Sequence, residues 1–202
     1  MKLFKNKFFT STFILMLSGL STKVLGLIIK VIFTRIVGST TISLYTIVMP
    51  TYSLLLTIGT FAMPTTIAKL IAQNKDKRVL NNALNIILIL NILLIIIMFI
   101  VSPFIANNLL KEPKTYYLLI AMALTLPFSS IACIFKGYFY GIQKNYPHVL
   151  SNTVEQLIRL VLILTAIPKL IEISYVHAAV GLILTFLFTE AASIIVFSIC
   201  MN

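Results

Sequence analysis

Apolar residues run along this chain in long blocks broken by short polar segments. Roughly 20 apolar residues, wound as a helix, cross the hydrocarbon core of a bilayer. Six blocks have that length, over about 9–35, 42–72, 80–106, 115–141, 148–168 and 176–201. The third holds the most lipid-like stretch, "IILILNILLIIIMFIV". Between the blocks lie "QNKDKR", "LLKEPKTYY", "GIQKNYPH" and "KLIEIS", with the charges and turn residues of connecting loops. The pattern predicts an all-α polytopic membrane protein, a single transmembrane domain over 1–202. Lys2, Lys5 and Lys7 precede the first block as in a signal peptide, but apolar character continues past Lys23 to Val37, too far for an h-region. A retained first span is expected.

Composition agrees. The 202 residues are 59% hydrophobic and only 10% charged, too apolar to cover a soluble core. The formal net charge is +11. In a soluble chain that would point to nucleic acid; here the cations gather in short loops, where they set topology instead. Lys2, Lys5 and Lys7, then Lys69, Lys75, Lys77 and Arg78, then Lys136 and Lys144 mark one side. Lys111, Lys114 and Lys169 fall on the other. The bias predicts both termini in the cytoplasm and a multi-pass protein of the cell membrane. Cys133 and Cys200 sit in apolar runs without metal-ligand spacing. With no nucleophile–base pairing and no phosphate-cradling glycine loop, neither an enzyme, a metal nor a cofactor is expected.

The informative residues are polar groups inside the spans. A cation near the middle of a bilayer costs about 2.5–3.5 kcal/mol on insertion scales, yet the first span carries Lys23, Lys30 and Arg35. Lys23 and Lys30 share a helix face, about 10.5 Å apart along the axis, with Gly19 and Gly26 beside them. They are candidates to line a cavity, with a structural ion pair or snorkelling as alternatives. Arg35, near the span end, can snorkel to headgroups. Thr46, Ser53, Thr57 and Thr60 form a stripe on the second span, next to the row Tyr45, Tyr52 and Gly59, with Pro50 and Pro64 in the same span. The stripe is either a helix-packing face or a cavity wall. In the fifth span Ser151, Glu155 and Arg159 stack at i, i+4 and i+8. An ion pair between Glu155 and Arg159 within the helix is expected, with a gate or a counter-ion to Lys23 or Lys30 as alternatives. Glu190 lies midway along the sixth span, as a neutral hydrogen-bonding residue or a proton-coupling site. Gly137 and Gly141 make a small-xxx-small packing pair. Lys136 is expected near the headgroups, and His148 and His177 near the interface.

Cations outnumber acids within these spans. A cavity lined this way calls for an anionic cargo, such as a diphosphate headgroup held between two lysines. It would repel a cationic drug.

The stretch "LSTKVLGLIIKVIFTRIVGSTTISLYTIVMPTYSLLLTIGTFAMPTTIAKLIA" resembles the start of the stage V sporulation protein B group, and "KGYFYGIQKNYPHVLSNTVEQLIRLVLIL" resembles that group's fourth-to-fifth-span segment. These are polysaccharide-export members of the multidrug/oligosaccharidyl-lipid/polysaccharide flippase superfamily, related to the lipid II flippases. The resemblance implies a fold of twelve to fourteen helices in two pseudo-symmetric lobes with alternating access. It also implies export of lipid-linked polysaccharide or peptidoglycan precursors. In the related lipid II flippases, first-span cations face the central cavity. Lys23 falls in the matching "[KR]VLG" position, Lys30 near a second cation whose place shifts between subgroups, and Arg35 before "IxG". The chain corresponds to most of the first lobe, so the partners expected are the bilayer, an anionic lipid-linked glycan precursor and a second lobe, in another chain or a second copy. A cation-coupled multidrug exporter of the same superfamily and a truncated, non-transporting membrane protein are the alternatives.

Overall fold

The computed structural model describes the backbone of residues 2–74 and 78–201, and every element among them is helical. Helix α1 (Lys2–Thr60) is two legs joined at Gly38, whose φ of 76° and ψ of 163° are not helical. Glycine takes that conformation without a Cβ clash. The legs fold back on one another. Phe33 and Tyr45 are twelve positions apart, about 18 Å along a straight helix, yet their rings meet edge to face with centroids 5.7 Å apart.

A second break follows at Phe61 and Ala62, both at positive φ (43° and 54°), before α2 (Met63–Asn74). It divides the second expected span. A helical Gly59 carbonyl would accept from the Met63 N–H beyond the break. Two neighbouring helices serve it instead. Asn91 of α3 (Arg78–Phe104) donates Nδ2 to the Gly59 carbonyl at 3.2 Å and to Ile87 at 2.8 Å. Ser130 of α4 (Thr115–Gly141) donates to the same Gly59 carbonyl at 3.2 Å. Both side chains are buried, so each bond is made where lipid and water offer no substitute. Asn91→Leu is therefore expected to cost about 1–3 kcal/mol, the penalty of an under-satisfied buried polar group. A thermal midpoint in detergent equal to that of the parent chain would contradict this role.

Helix α3 closes in a π-helical turn, Ile105–Leu109, just after Pro103. Helices α5 (Tyr146–Ile173) and α6 (Tyr175–Met201) complete the bundle. Among the described residues, three helical stretches are long and apolar enough to cross a membrane, Arg78–Leu109, Thr115–Gly141 and Tyr175–Met201. They occupy different environments. Helix α3 leaves Ile86, Ile89, Ile92, Ile96 and Ile100 exposed, the surface a lipid-facing helix presents. Helix α4 is the core: Leu118, Leu119, Met122, Leu126 and Ile134 are fully buried, and α2, α3 and α6 all pack on it. Gly137 and Gly141 let α2 approach. A Cβ at Gly137 would lie 2.6 Å from the Pro64 carbonyl oxygen, and one at Gly141 2.8 Å from that of Ala68. Lys75 and Lys77, two of the cations on which the expected orientation rests, lie outside the described residues.

Candidate functional site

The Gly38 hairpin leans on α5 and α6 through Ile29, Phe33 and Val37, which pack with Ile163, Ile167 and Leu182. Beside this contact a cleft of about 390 Å³ opens between the two legs of α1 and helices α5 and α6. Its polar lining includes Lys30, Thr34, Thr46, Arg159 and Thr185. Phe33, Tyr45, Met49 and Phe186 supply aromatic and apolar wall. Lys30 is eight residues from the hairpin apex, about 12 Å along the helix, and Arg159 is midway along α5. The cleft thus lies away from the helix ends, with Lys30, Thr34 and Thr46 exposed along it. On the same leg Pro50 has no N–H to offer the Thr46 carbonyl one turn back.

Arg159 is held by Phe186, with the guanidinium carbon 4.7 Å from the ring centroid. Tyr52 packs against the same ring, centroids 5.4 Å apart. The expected pair with Glu155 does not form. Glu155 instead reaches across to α4 and pairs with Lys136 at 3.2 Å, while Ser151 donates to the same carboxylate oxygen at 3.4 Å. Lys136 is therefore drawn into the bundle, with its side chain only 19% exposed, rather than sitting at the headgroups. Nothing in its spacing announced a partner on another helix. Ser151 in turn bonds Ser193 of α6, tying three helices together. Glu190 has Lys136, Glu155 and Arg159 within electrostatic reach, and its Oε2 is buried without a hydrogen-bond partner.

Of the other sequence candidates, Thr46 lines the cleft and is exposed. Lys23 and Arg35 are exposed and do not line it. Ser53 and Thr57 are exposed outside it and spend their hydroxyl protons on the Pro50 and Ser53 carbonyls, each at 2.8 Å. The neighbouring row is turned inward: Tyr52 and Gly59 are buried, and Tyr45 is partly so. Tyr45 and Phe186 are cleft residues that hydropathy alone presents as ordinary aromatics; the heptad spacing of Tyr45 with Tyr52 was the available signal. His148 bonds Tyr140 at 2.8 Å. Far from the cleft, Lys114 donates to the Tyr175 hydroxyl, which holds its ammonium above the ordinary lysine range. Among the described residues no group of three His, Cys, Asp or Glu side chains could hold a metal, and both cysteines are free.

Residues 8–202 match the polysaccharide biosynthesis protein family. The chain belongs to that family. It is 29% identical to the stage V sporulation protein B of Bacillus subtilis (strain 168) over 205 residues, which covers 98% of this chain and 40% of that protein. The lipid II flippase MurJ of the same organism is 25% identical over 176 residues, 80% of this chain and 32% of its own length. Among solved structures, an inward closed conformation of the lipid II flippase MurJ superposes with a TM-score of 0.72 at 18% identity. That match covers 90% of this chain and 41% of the solved one. The fold is that of a multi-pass membrane protein of the flippase superfamily, and the chain spans about a third to two fifths of the length of these relatives.

Proposed function

We propose that the chain is one lobe of a transporter that moves a lipid-linked polysaccharide or peptidoglycan precursor across the cytoplasmic membrane by alternating access. The observation that carries this is the polar face left uncovered on an otherwise apolar lobe: Lys23, Lys30, Thr46, Ser53 and Thr57 are exposed, while the aromatic row beside the threonines is packed. Lipid is a poor solvent for such a face. A water-filled cavity closed by a second lobe is a good one, and its lysines suit an anionic headgroup. The two legs of α1, the second continued by α2, together with α3 to α6 and the cation bias support six crossings with both termini cytoplasmic. The relatives' names support the cargo class. In the complete assembly, Lys23→Ala with Lys30→Ala is expected to abolish translocation of a lipid-linked diphosphate precursor while the protein still inserts. Normal translocation by that double variant would contradict the proposal.

A second reading has one observation in its favour, the unpartnered carboxylate oxygen of Glu190. In a cation-coupled exporter that carboxylate would exchange a proton or ion against a drug. The prediction that separates the two is efflux of a cationic dye: loss of efflux on Glu190→Gln supports the exporter, and absence of efflux by the parent assembly removes it.

A further inference from the structure

A second hollow lies away from the cleft, where α3 ends and α4 begins. We infer that it seats the headgroup of an anionic glycerophospholipid of the surrounding bilayer, whose acyl chain lies along the exposed face of α3. The site is separate from the proposed cargo path, and the inference does not rest on that path.

The hollow measures about 440 Å³, within the range of small-ligand sites. Pro103 and Asn107 line it from the end of α3, and Lys114, Tyr116 and Tyr117 from the start of α4. The local sequence builds it. Pro103 has no N–H for the α-helical ladder, and the π-helical turn follows at once. The connection then bends through Lys111, at a φ of 53°. It closes where Thr115 donates its N–H and its hydroxyl to the Glu112 carbonyl, at 3.0 and 2.7 Å. Both flanking helices are long and apolar enough to cross a membrane, so a hollow at their joined ends lies at headgroup level. Tyrosine rings belong at that level. Tyr116 and Tyr117 meet edge to face, centroids 5.5 Å apart, and Tyr117 is exposed.

Charge selects the occupant. Lys114 is held from α6: its ammonium donates to the Tyr175 hydroxyl and lies 4.9 Å from the centre of that ring. An ammonium has three donors, so two remain for a ligand. Binding to an exposed lysine ordinarily costs the ordering of its long side chain; Tyr175 has already ordered this one. Lys111 adds a second cation to the connection, against one acid, Glu112. Glu112 is within electrostatic reach of Lys114, but among the described residues the one ion pair is Lys136–Glu155. Asn107 is exposed, and its amide can donate to a phosphate oxygen. A zwitterionic headgroup would bring its own cation against the lysines; an anionic one brings none.

The apolar half comes from α3. Ile89, Ile96 and Pro103 recur every seven positions, with Ile100 beside them, and so share one helix face. The three isoleucines are all more than half exposed. From Ile89 to Pro103 that face runs about 21 Å, longer than the about 15 Å of hydrocarbon in one leaflet. Pro103 joins it to the hollow. A phospholipid seated there gains both the charge contact and the apolar face; a free phosphate gains only the first.

The test is lipid retention by the complex that contains this chain, purified from its own membranes and stripped in mild detergent. Native mass spectrometry follows titration with phosphatidylglycerol or with phosphatidylcholine. Phosphatidylglycerol is expected to bind about tenfold more tightly, the worth of one charge-assisted contact. Lys114→Gln is expected to remove most of that preference. Tyr175→Phe is expected to remove part of it, because the ring stays and the hydroxyl that positions the ammonium goes. In phosphatidylcholine nanodiscs both variants should keep a thermal midpoint close to the parent's, since the Lys114–Tyr175 bond is exposed. Both should lose the rise that added phosphatidylglycerol gives the parent. A purely structural contact would instead lower the midpoint in both lipids. Lys169→Gln, in the last turns of α5 beside the link to α6, controls for general charge and should keep the preference. An unchanged preference in Lys114→Gln, or an equal loss in Lys169→Gln, overturns the inference. So does equal binding of the two lipids by the parent complex. Soluble glycerol phosphate binding as tightly as phosphatidylglycerol overturns the lipid as occupant. Each of these results leaves the transport proposal standing.

Discussion

Replacing Lys136 by methionine is expected to destabilise the lobe by about 3 kcal/mol, the lower end of what breaking one side of a buried ion pair costs. The reason is what remains. Glu155 keeps its carboxylate inside the bundle with Ser151 as its hydrogen-bond donor, and Glu190 stands within electrostatic reach of the same vacated position. Coulombic repulsion then replaces attraction in a medium of low dielectric. Lys136→Met combined with Glu155→Met is expected to recover most of the loss, since well-packed apolar side chains of similar size replace buried ion pairs at little cost. Thermal unfolding of the two single variants and the double variant in one detergent closes the cycle. Additive losses would mean that the pair is a packing accident, and that α4 and α5 are held by their apolar contacts alone.

Gly137→Leu is expected to do more damage. Even its first carbon would lie 2.6 Å from the Pro64 carbonyl oxygen and 2.9 Å from the Pro64 Cα. Those are backbone atoms, so no rotamer can yield, and α2 must leave α4. Ordinary overpacking costs about 1–3 kcal/mol; here the loss should exceed that and appear as failure to recover folded, monodisperse protein. Gly19→Ala is the matched contrast. Its new Cβ meets nothing within 4 Å, and alanine outranks glycine in a helix by about 1 kcal/mol, so its thermal midpoint should hold or rise. A Gly137→Leu variant as stable as the parent would show that the close approach of α2 and α4 is not required.

How much of this was legible beforehand differs from residue to residue. Hydropathy marks α3 as the most lipid-like stretch, and its exposed isoleucines agree. The Gly137–Gly141 spacing announces a close helix contact, because small residues one turn apart serve little else in a helix interior. Two polar rows on the second leg of α1 are also visible, one position apart. Which of them faces the core is not, because a 100° rotation decides it and only packing fixes the rotation. The Glu155–Lys136 pair illustrates the wider limit. Sequence spacing reveals partners within a helix, so Arg159 is the obvious mate for Glu155; a better-placed ammonium on α4 wins, and only the topology brings it near. Freed from that pairing, Arg159 turns to Phe186 and the cleft, where spacing gave it no role. Pro64 reads as part of one continuous second span, so the break at Phe61 and Ala62 was not expected. The asparagine that compensates for it lies 32 positions from Gly59 and reads as one polar residue in a lipid-like run.

The central claim is that the lobe works as half of a two-lobed transporter, its polar face closed by a second lobe. The most direct test is the native mass of the complex extracted from its own membranes in mild detergent, with subunits identified by mass spectrometry. The account predicts a stable particle in which this helical lobe is joined by a second set of membrane helices, in the same polypeptide, in another one or in a second copy. It also predicts that a cysteine placed at Ser53 or Thr57 crosslinks to that second lobe or reacts with a water-soluble thiol reagent. A stable lone lobe whose position 53 and 57 cysteines are shielded by lipid would contradict it.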